Sequence, residues 1–280
     1  MKNVRLHITV LILVIIAEFI GTIKFDIGIG QIIILPMLFA LIFGILTTPK
    51  FLKITREKEM DDAGSLIGIT LMLLMAKYGT NIGPTITLVL KSSPALILQE
   101  FGNLGTVLLG VPIAVALGLG RESIGAAHSI AREPNVALIG EKYGLDSKEG
   151  EGVLGVYIVG TAVGTIFIGL MASILATSTF LHPYALAMAS GVGSASMMTA
   201  SVGSLVELYP DMTETLQAFG ASSNLLSGLD GLYMSMLISL PFSEWLFKKC
   251  YELKYKKEAP KPKYIDVVDV KEEDINGDKN

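Results

Sequence analysis

The chain has 280 residues, of which 51% are hydrophobic and only 17% charged, with a formal net charge of −4 and a mean hydropathy of +0.58. An ordinary soluble domain carries about 25% charge, and no basic stripe with interleaved aromatics is present, so a nucleic-acid partner is excluded. The one cysteine, Cys250, makes neither an internal disulfide nor a zinc cage.

Lys2 and Arg5 precede an apolar run, and no small-x-small cleavage motif follows before Lys24. The run therefore reads as an uncleaved first helix rather than a signal peptide. Apolar windows fall at 7–23, 29–48, 63–80, 101–119, 152–178, 183–207 and 228–247, and a more polar one at 121–140 is interrupted by Arg132, Glu133 and Pro134. Crossing hydrocarbon takes about 20 residues per helix, so the pattern predicts an all-α polytopic membrane bundle of about eight spans. Residues 1–250 form a single transmembrane domain on this reading, with broken helices at 121–140 and 185–207. The stretch 84–100, with Lys91 and Pro94, fits a re-entrant or interfacial segment. Residues 251–280 are too polar to fold and read as a disordered cytoplasmic tail.

Lys and Arg cluster before the first window, between the second and third, and after the last. An even number of spans places these clusters on one side, so both termini are expected in the cytoplasm. The loops 141–151 and 207–214 are then expected outside.

Three segments are more polar than hydrocarbon tolerates. In the first, Arg121, Glu122, His128, Arg132 and Glu133 crowd a Gly-rich stretch that ends at Pro134 and Asn135. Charges at membrane depth face the protein interior and pair, and proline breaks the helix behind it. The same charges also suit two flanking positions at the membrane interfaces, with His128 between them as an interior histidine. In the second, Ser190, Ser194, Ser196, Thr199, Ser201 and Ser204 share one window, which suits small-residue packing or an unwound stretch offering hydroxyls to a solute. In the third, Asn224, Ser227 and Asp230 share a helix face. Asp230 is either an ion-coupling carboxylate or a helix cap. Sliding the sequence along itself lays Gly125-Ala-Ala-His-Ser over Gly193-Ser-Ala-Ser-Met, a thin hint that two helix pairs are related.

The run Asn135-Val-Ala-Leu-Ile-Gly-Glu-Lys-Tyr-Gly144 resembles part of the 2-keto-3-deoxygluconate permease family. The run Ala185-Leu-Ala-Met-Ala-Ser-Gly-Val-Gly-Ser194, with the later Ser-Asn-Leu-Leu segment, is similar to the second half of bacterial lysine exporters. Both belong with the bile-acid:sodium symporter-like transporters, and the whole chain looks most like an uncharacterised prokaryotic membrane family allied to that group. The resemblance implies two crossing broken helices at 121–135 and 190–204. His128 and Arg132-Glu133-Pro134 depart from both patterns, so neither substrate carries over.

The expected function is a secondary transporter of a small polar solute in a prokaryotic inner membrane. An Arg fork near the break favours an organic anion or amino acid. The candidate solute-binding residues are Glu122, His128, Arg132, Asn135, Ser194, Ser196, Thr199 and Asn224, with Asp230 as the ion-coupling group. No cofactor is expected beyond a coupling sodium ion or proton, and the glycine-rich faces allow a homodimer. The alternatives are a membrane-embedded enzyme, for which no catalytic motif is present, and an accessory subunit of a membrane complex.

Overall fold

The computed structural model describes residues 3–27, 31–128, 133–262 and 264. The protein is mostly helical, and its chain groups into two compact units: residues 1–104 with 158–231, and residues 105–157 with 232–280.

The first unit opens with α1 (Val4–Ile20), whose first turn is capped by the Asn3 side chain accepting from the Leu6 amide. It ends where Gly21 turns to φ 73°, a left-handed conformation that glycine adopts without strain. Of its seventeen residues, Leu6 and Ala17 are buried, and apolar side chains on every other face are exposed, Phe19 to 87%. A hairpin follows, β1 (Ile23–Asp26) paired antiparallel with β2 (Gln31–Ile34), with Ile23 opposite Ile34. The expected all-α fold and the expected span 29–48 are corrected here. The β-branched run 32–34 favours a strand, and Pro36 starts α2 (Pro36–Leu46), which has eleven residues.

The 35-residue α3 (Glu57–Lys91) runs through Pro84, and α4 (Ser93–Glu100) follows one residue after its end. The stretch 84–100 is thus the last turns of one helix and a short second one, not a separate re-entrant element. Asn3 Nδ2 donates to Asp62 at 2.9 Å, Arg5 to the Ile54 carbonyl at 2.7 Å, and Arg5 pairs with Glu59 at 3.6 Å. The start of α1 and the start of α3 therefore share one end of this unit.

The rest of the first unit is α9 (Thr165–Ser178), α10 (Pro183–Ser190), α11 (Ala195–Leu208) and most of α12 (Thr213–Met234). A π-helical segment, Gly160–Gly164, leads into α9. Its core joins Ala187, Met198, Val202, Leu205, Leu216 and Phe219. The strand β2 lies on α9, where the Gln31 amide donates to Thr177 Oγ1 at 2.9 Å and the Ile33 amide to Ser173 Oγ at 3.3 Å. The hydroxyls satisfy strand donors that would otherwise be orphaned. Lys24 pairs with Glu207 at 3.1 Å, so the strand hairpin, the end of α9 and the end of α11 share the end away from Arg5.

The second unit holds most of α5 (Gly102–Ala116), α6 (Glu122–Ala127), α7 (Glu133–Tyr143), most of α8 (Lys148–Val159), a π-helical segment Ser235–Ser239 and α13 (Leu240–Tyr255). Val107, Val111, Ile124, Ile139, Val153, Leu240 and Phe247 form its core. Residues 251–255 are helical rather than tail. The following stretch is docked: the Pro260 carbonyl accepts from Arg121 at 3.0 Å, and Tyr264 stacks on Tyr143 at 5.6 Å between centroids.

Among the described residues no single helix is long and apolar enough to cross a membrane, although one bent pair, Pro210–Leu229 with Gly231–Tyr255, is by length and composition.

Candidate functional site

Each unit contains an interrupted helical segment, and in each the chain folds back instead of continuing. In the first unit the interruption is Gly191–Ser194, between α10 and α11. Thr165 meets Ser196, Gly169 meets Ala200, and the Ala176 carbonyl accepts from Tyr209. These pairs advance together along both helices, so α9 and α11 run parallel and α10 is the returning arm of a hairpin. Its tip lies level with Thr165, beside the π-helical segment, and its open end lies with Lys24 and Glu207.

The tip is dense in polar contacts. Ser194 caps α11 by accepting from the Met197 amide at 3.3 Å, and its hydroxyl meets Ser196 Oγ at 3.0 Å. Thr165 donates to Ser196 at 3.1 Å. Asn224 Nδ2 donates to the Gly191 carbonyl at 3.0 Å and the Gly193 carbonyl at 2.9 Å, so one amide covers two acceptors that the break releases. Ser223 donates to the Met188 carbonyl at 2.6 Å. A Cβ on Gly191 would overlap Ser223, so α12 crosses the break at a distance that only glycine allows.

In the second unit, α6 and α7 are the two arms. Arg121, before α6, and Tyr143, at the end of α7, lie close, with the guanidinium carbon 5.9 Å from the ring centre. A straight helix between them would span roughly 30 Å, so this segment also folds back. Each expected broken segment, 121–135 and 190–204, thus folds back within its own unit, and residues 129–132 of the first lie outside the described residues. At the open end of the second-unit hairpin, Arg121 pairs with Glu149 and, at 2.5 Å, with Glu244. Tyr143 donates to Glu244 at 2.8 Å. Burial, with the adjacent Glu244 carboxylate, pushes the Tyr143 hydroxyl far above the usual phenol range, so it remains a donor. Lys254 donates to the Val115 and Ala116 carbonyls at 2.8 and 3.0 Å. Loop 144–147, the end of α5 and the lysines after Phe247 thus share one end, which overturns the expectation that 141–151 and the tail face opposite sides. A Cβ on Gly125 would overlap the Glu149 carbonyl, and one on Gly152 the Glu122 carbonyl, so α6 and α8 also cross on glycines.

The tip of this hairpin is His128, the C-cap of α6, 3% exposed. Its Nδ1 lies 2.7 Å from the Ile124 carbonyl. Its Nε2 has no hydrogen-bond partner among the described residues. The first-unit tip sits beside a π-helical turn, where a Cβ on Gly164 would meet Met197, and such turns are common at functional sites.

Of the residues singled out from sequence, Ser194, Ser196 and Asn224 come together at the first-unit tip. Thr199 lies a turn further on and donates to the Ala195 carbonyl of its own helix at 2.7 Å. Glu122 pairs with Lys148 at 3.4 Å at a hydrated rim. Glu151, then Glu122, hold the exposed Lys148 ammonium above its ordinary value. Asn135 is half-buried on α7. Asp230 falls within α12, where the chain bends by 49° between Leu229 and Gly231. Arg132 lies outside the described residues. Thr165, Ser223, Glu149 and Glu244 were not anticipated. Only Glu244 left a trace, as a carboxylate in the otherwise uncharged run 231–247.

Fold and site define a mostly helical protein in which each of two units holds a folded-back, interrupted helix. The profile of the family described as a protein of unknown function, DUF3100, matches residues 15–249, and the chain belongs to that family. No curated protein and no solved structure matches it, and nothing in the comparisons supports kinship with the permease or lysine-exporter families.

Proposed function

We propose that this protein is a multi-pass protein of the prokaryotic cell membrane and a secondary transporter of a small polar solute, an organic anion or amino acid, coupled to a sodium ion or a proton. The observation that carries the reading is the first-unit tip, where a helix breaks among Ser194, Ser196, Thr165 and the Asn224 amide inside a chain whose helices expose apolar side chains. Irregular backbone at membrane depth is tolerated where protein or a water-filled cavity surrounds it, and transporters bind solutes at such breaks. Membrane embedding is supported by α1. Its exposed Val, Ile, Leu and Phe side chains encircle the helix, a surface that water does not accommodate at this extent.

Each unit carries its own signal for orientation. In the first, the end with Arg5, Lys50, Lys53, Arg56 and Lys58 is basic, and the hairpin opens at the other end. In the second, the hairpin opens at the end with Lys142, Lys148, Lys248, Lys249 and Lys254. Basic ends face the cytoplasm, so the α10–α11 hairpin opens outward and the α6–α7 hairpin opens inward. The functional test is uptake of radiolabelled glutamate, malate and lysine into liposomes containing only this protein, under sodium and proton gradients. Gradient-dependent accumulation of one of them supports the transporter reading. The absence of any uptake by folded protein rejects this solute class.

A further inference from the structure

After α13 the chain turns back onto the second unit. Lys256 takes a left-handed conformation, φ 51°, and residues 257–262 and Tyr264 follow without helix. Their contacts fall on both arms of the α6–α7 hairpin, at its open end. Arg121, before α6, donates to the Pro260 carbonyl at 3.0 Å. At the end of α7 the Tyr143 ring stacks on Tyr264 with 5.6 Å between centroids, and the Lys142 ammonium lies 5.6 and 5.7 Å from the two ring centres. Ala259 packs against the core of the unit. Between this segment and the helices is a cavity of about 300 Å³, walled by Arg121, Glu244, Trp245, Phe247 and Lys248 on one side and by residues 258–262 and Tyr264 on the other.

The composition explains how so polar a stretch is held. Pro260 and Pro262 restrict the chain before it docks, so less entropy is lost on docking. The bond from the guanidinium to the Pro260 carbonyl is charge-assisted, and the ring and ammonium contacts add to it. These few contacts stand against the cost of ordering the segment, and Pro260, Lys261 and Tyr264 remain exposed. Docked and released states therefore lie close in free energy. Release takes from Arg121 the Pro260 carbonyl alone. Its bonds to Glu149 and Glu244 remain, so the strap detaches without unfolding the hairpin.

We propose that residues 256–262 with Tyr264 are an autoinhibitory strap latched by Tyr264. Docked, the strap ties the two hairpin arms together and covers the cytoplasmic mouth of the second unit. Released, it opens that mouth to solute. The assignment rests on the transporter reading and on the inward orientation of this hairpin.

Two measurements keep the strap apart from the transporter reading itself. The first needs no transport. In a Cys250→Ser background, a nitroxide on Lys261→Cys in lipid nanodiscs reports the mobility of the strap by electron paramagnetic resonance. Its correlation time should be at least about threefold longer with Tyr264 intact than with Tyr264→Ser, which removes the stacked ring. Tyr264→Phe keeps the ring and should match the parent. Equal mobility in all three, fast or slow, overturns a strap latched by Tyr264. The second is initial uptake of glutamate, malate and lysine into liposomes, with Cys250 and Lys261 restored. Tyr264→Ser should raise the rate about threefold or more, bounded by the ratio of docked to released strap, and Tyr264→Phe should match the wild type. An unchanged or lower rate in Tyr264→Ser overturns the inhibition. Where neither protein moves any of the three solutes, a label freed by Tyr264→Ser leaves a docked strap and removes its role in transport.

Discussion

Arg121 provides the strongest test of how the second-unit hairpin is held. Its guanidinium serves Glu149, Glu244 and the Pro260 carbonyl at once, between the rings of Tyr143 and Phe247. Arg121→Met keeps the apolar stem and removes every donor. Side-chain exposure decides the cost: Glu149 is 4% exposed and Glu244 22%. Stranding the Glu149 carboxylate is the larger loss, about 3–5 kcal/mol, the usual result of removing one partner of a buried ion pair. Glu244 regains water and adds about 1 kcal/mol at most. Adding Glu149→Gln to Arg121→Met removes the stranded charge and should return about 2–3 kcal/mol. Arg121→Lys reaches one carboxylate but cannot fork to two, so about 1–2 kcal/mol should be lost. Trp245, the single tryptophan, stands beside Glu244 and reports unfolding by fluorescence during SDS titration of the protein in mixed micelles. A loss below about 1 kcal/mol for Arg121→Met would show that the cluster is hydrated and holds nothing.

The glycines at the two crossings should be intolerant of a methyl group. Gly125→Ala and Gly191→Ala should each lose about 1–3 kcal/mol in the same titration, whereas Gly155→Ala, with open space around it, should be neutral or gain up to about 1 kcal/mol. Asn224→Asp turns an amide donor into a carboxylate facing two carbonyls, so a loss of about 3 kcal/mol is expected. A stable Asn224→Asp protein would mean that the break does not depend on that amide. In a Cys250→Ser background, cysteine at Phe180, 99% exposed, should react with an impermeant maleimide on intact cells, and cysteine at Ser147 or Thr55 should not. Outside labelling of Ser147 would reverse the orientation of the second-unit hairpin.

The interruptions were readable because they follow local rules. Pro134 bars regular helix behind it, and Gly191-Val-Gly193 is a poor helix former flanked by serine. The direction of the chain after each break was not readable. A window of apolar residues has the same hydropathy whether it crosses or folds back, and the contacts that decide it, Arg121 with Tyr143 and Thr165 with Ser196, link residues distant in sequence. The strand hairpin was hidden for a related reason. An Ile run is equally apolar as strand or helix, and its edge donors are satisfied by Ser173 and Thr177, far along the chain. Glu149 was masked by neighbouring Glu151 and Lys148, which are exposed, so an acidic loop concealed one buried carboxylate.

The two tips differ in chemistry. At the first-unit tip the groups that meet are neutral: hydroxyls of Ser194, Ser196 and Thr165, two carbonyls and the Asn224 amide. Such groups recognise a solute by hydrogen bonds, and neither a gradient of protons nor the membrane potential acts on them directly. At the second-unit tip the outstanding group is the buried His128 imidazole, whose Nε2 has no hydrogen-bond partner among the described residues. Ser196→Ala should weaken solute affinity about tenfold, near 1.4 kcal/mol, in binding measured by isothermal titration calorimetry on the folded protein. Unchanged affinity in a folded Ser196→Ala protein would show that the first-unit tip does not contact the solute.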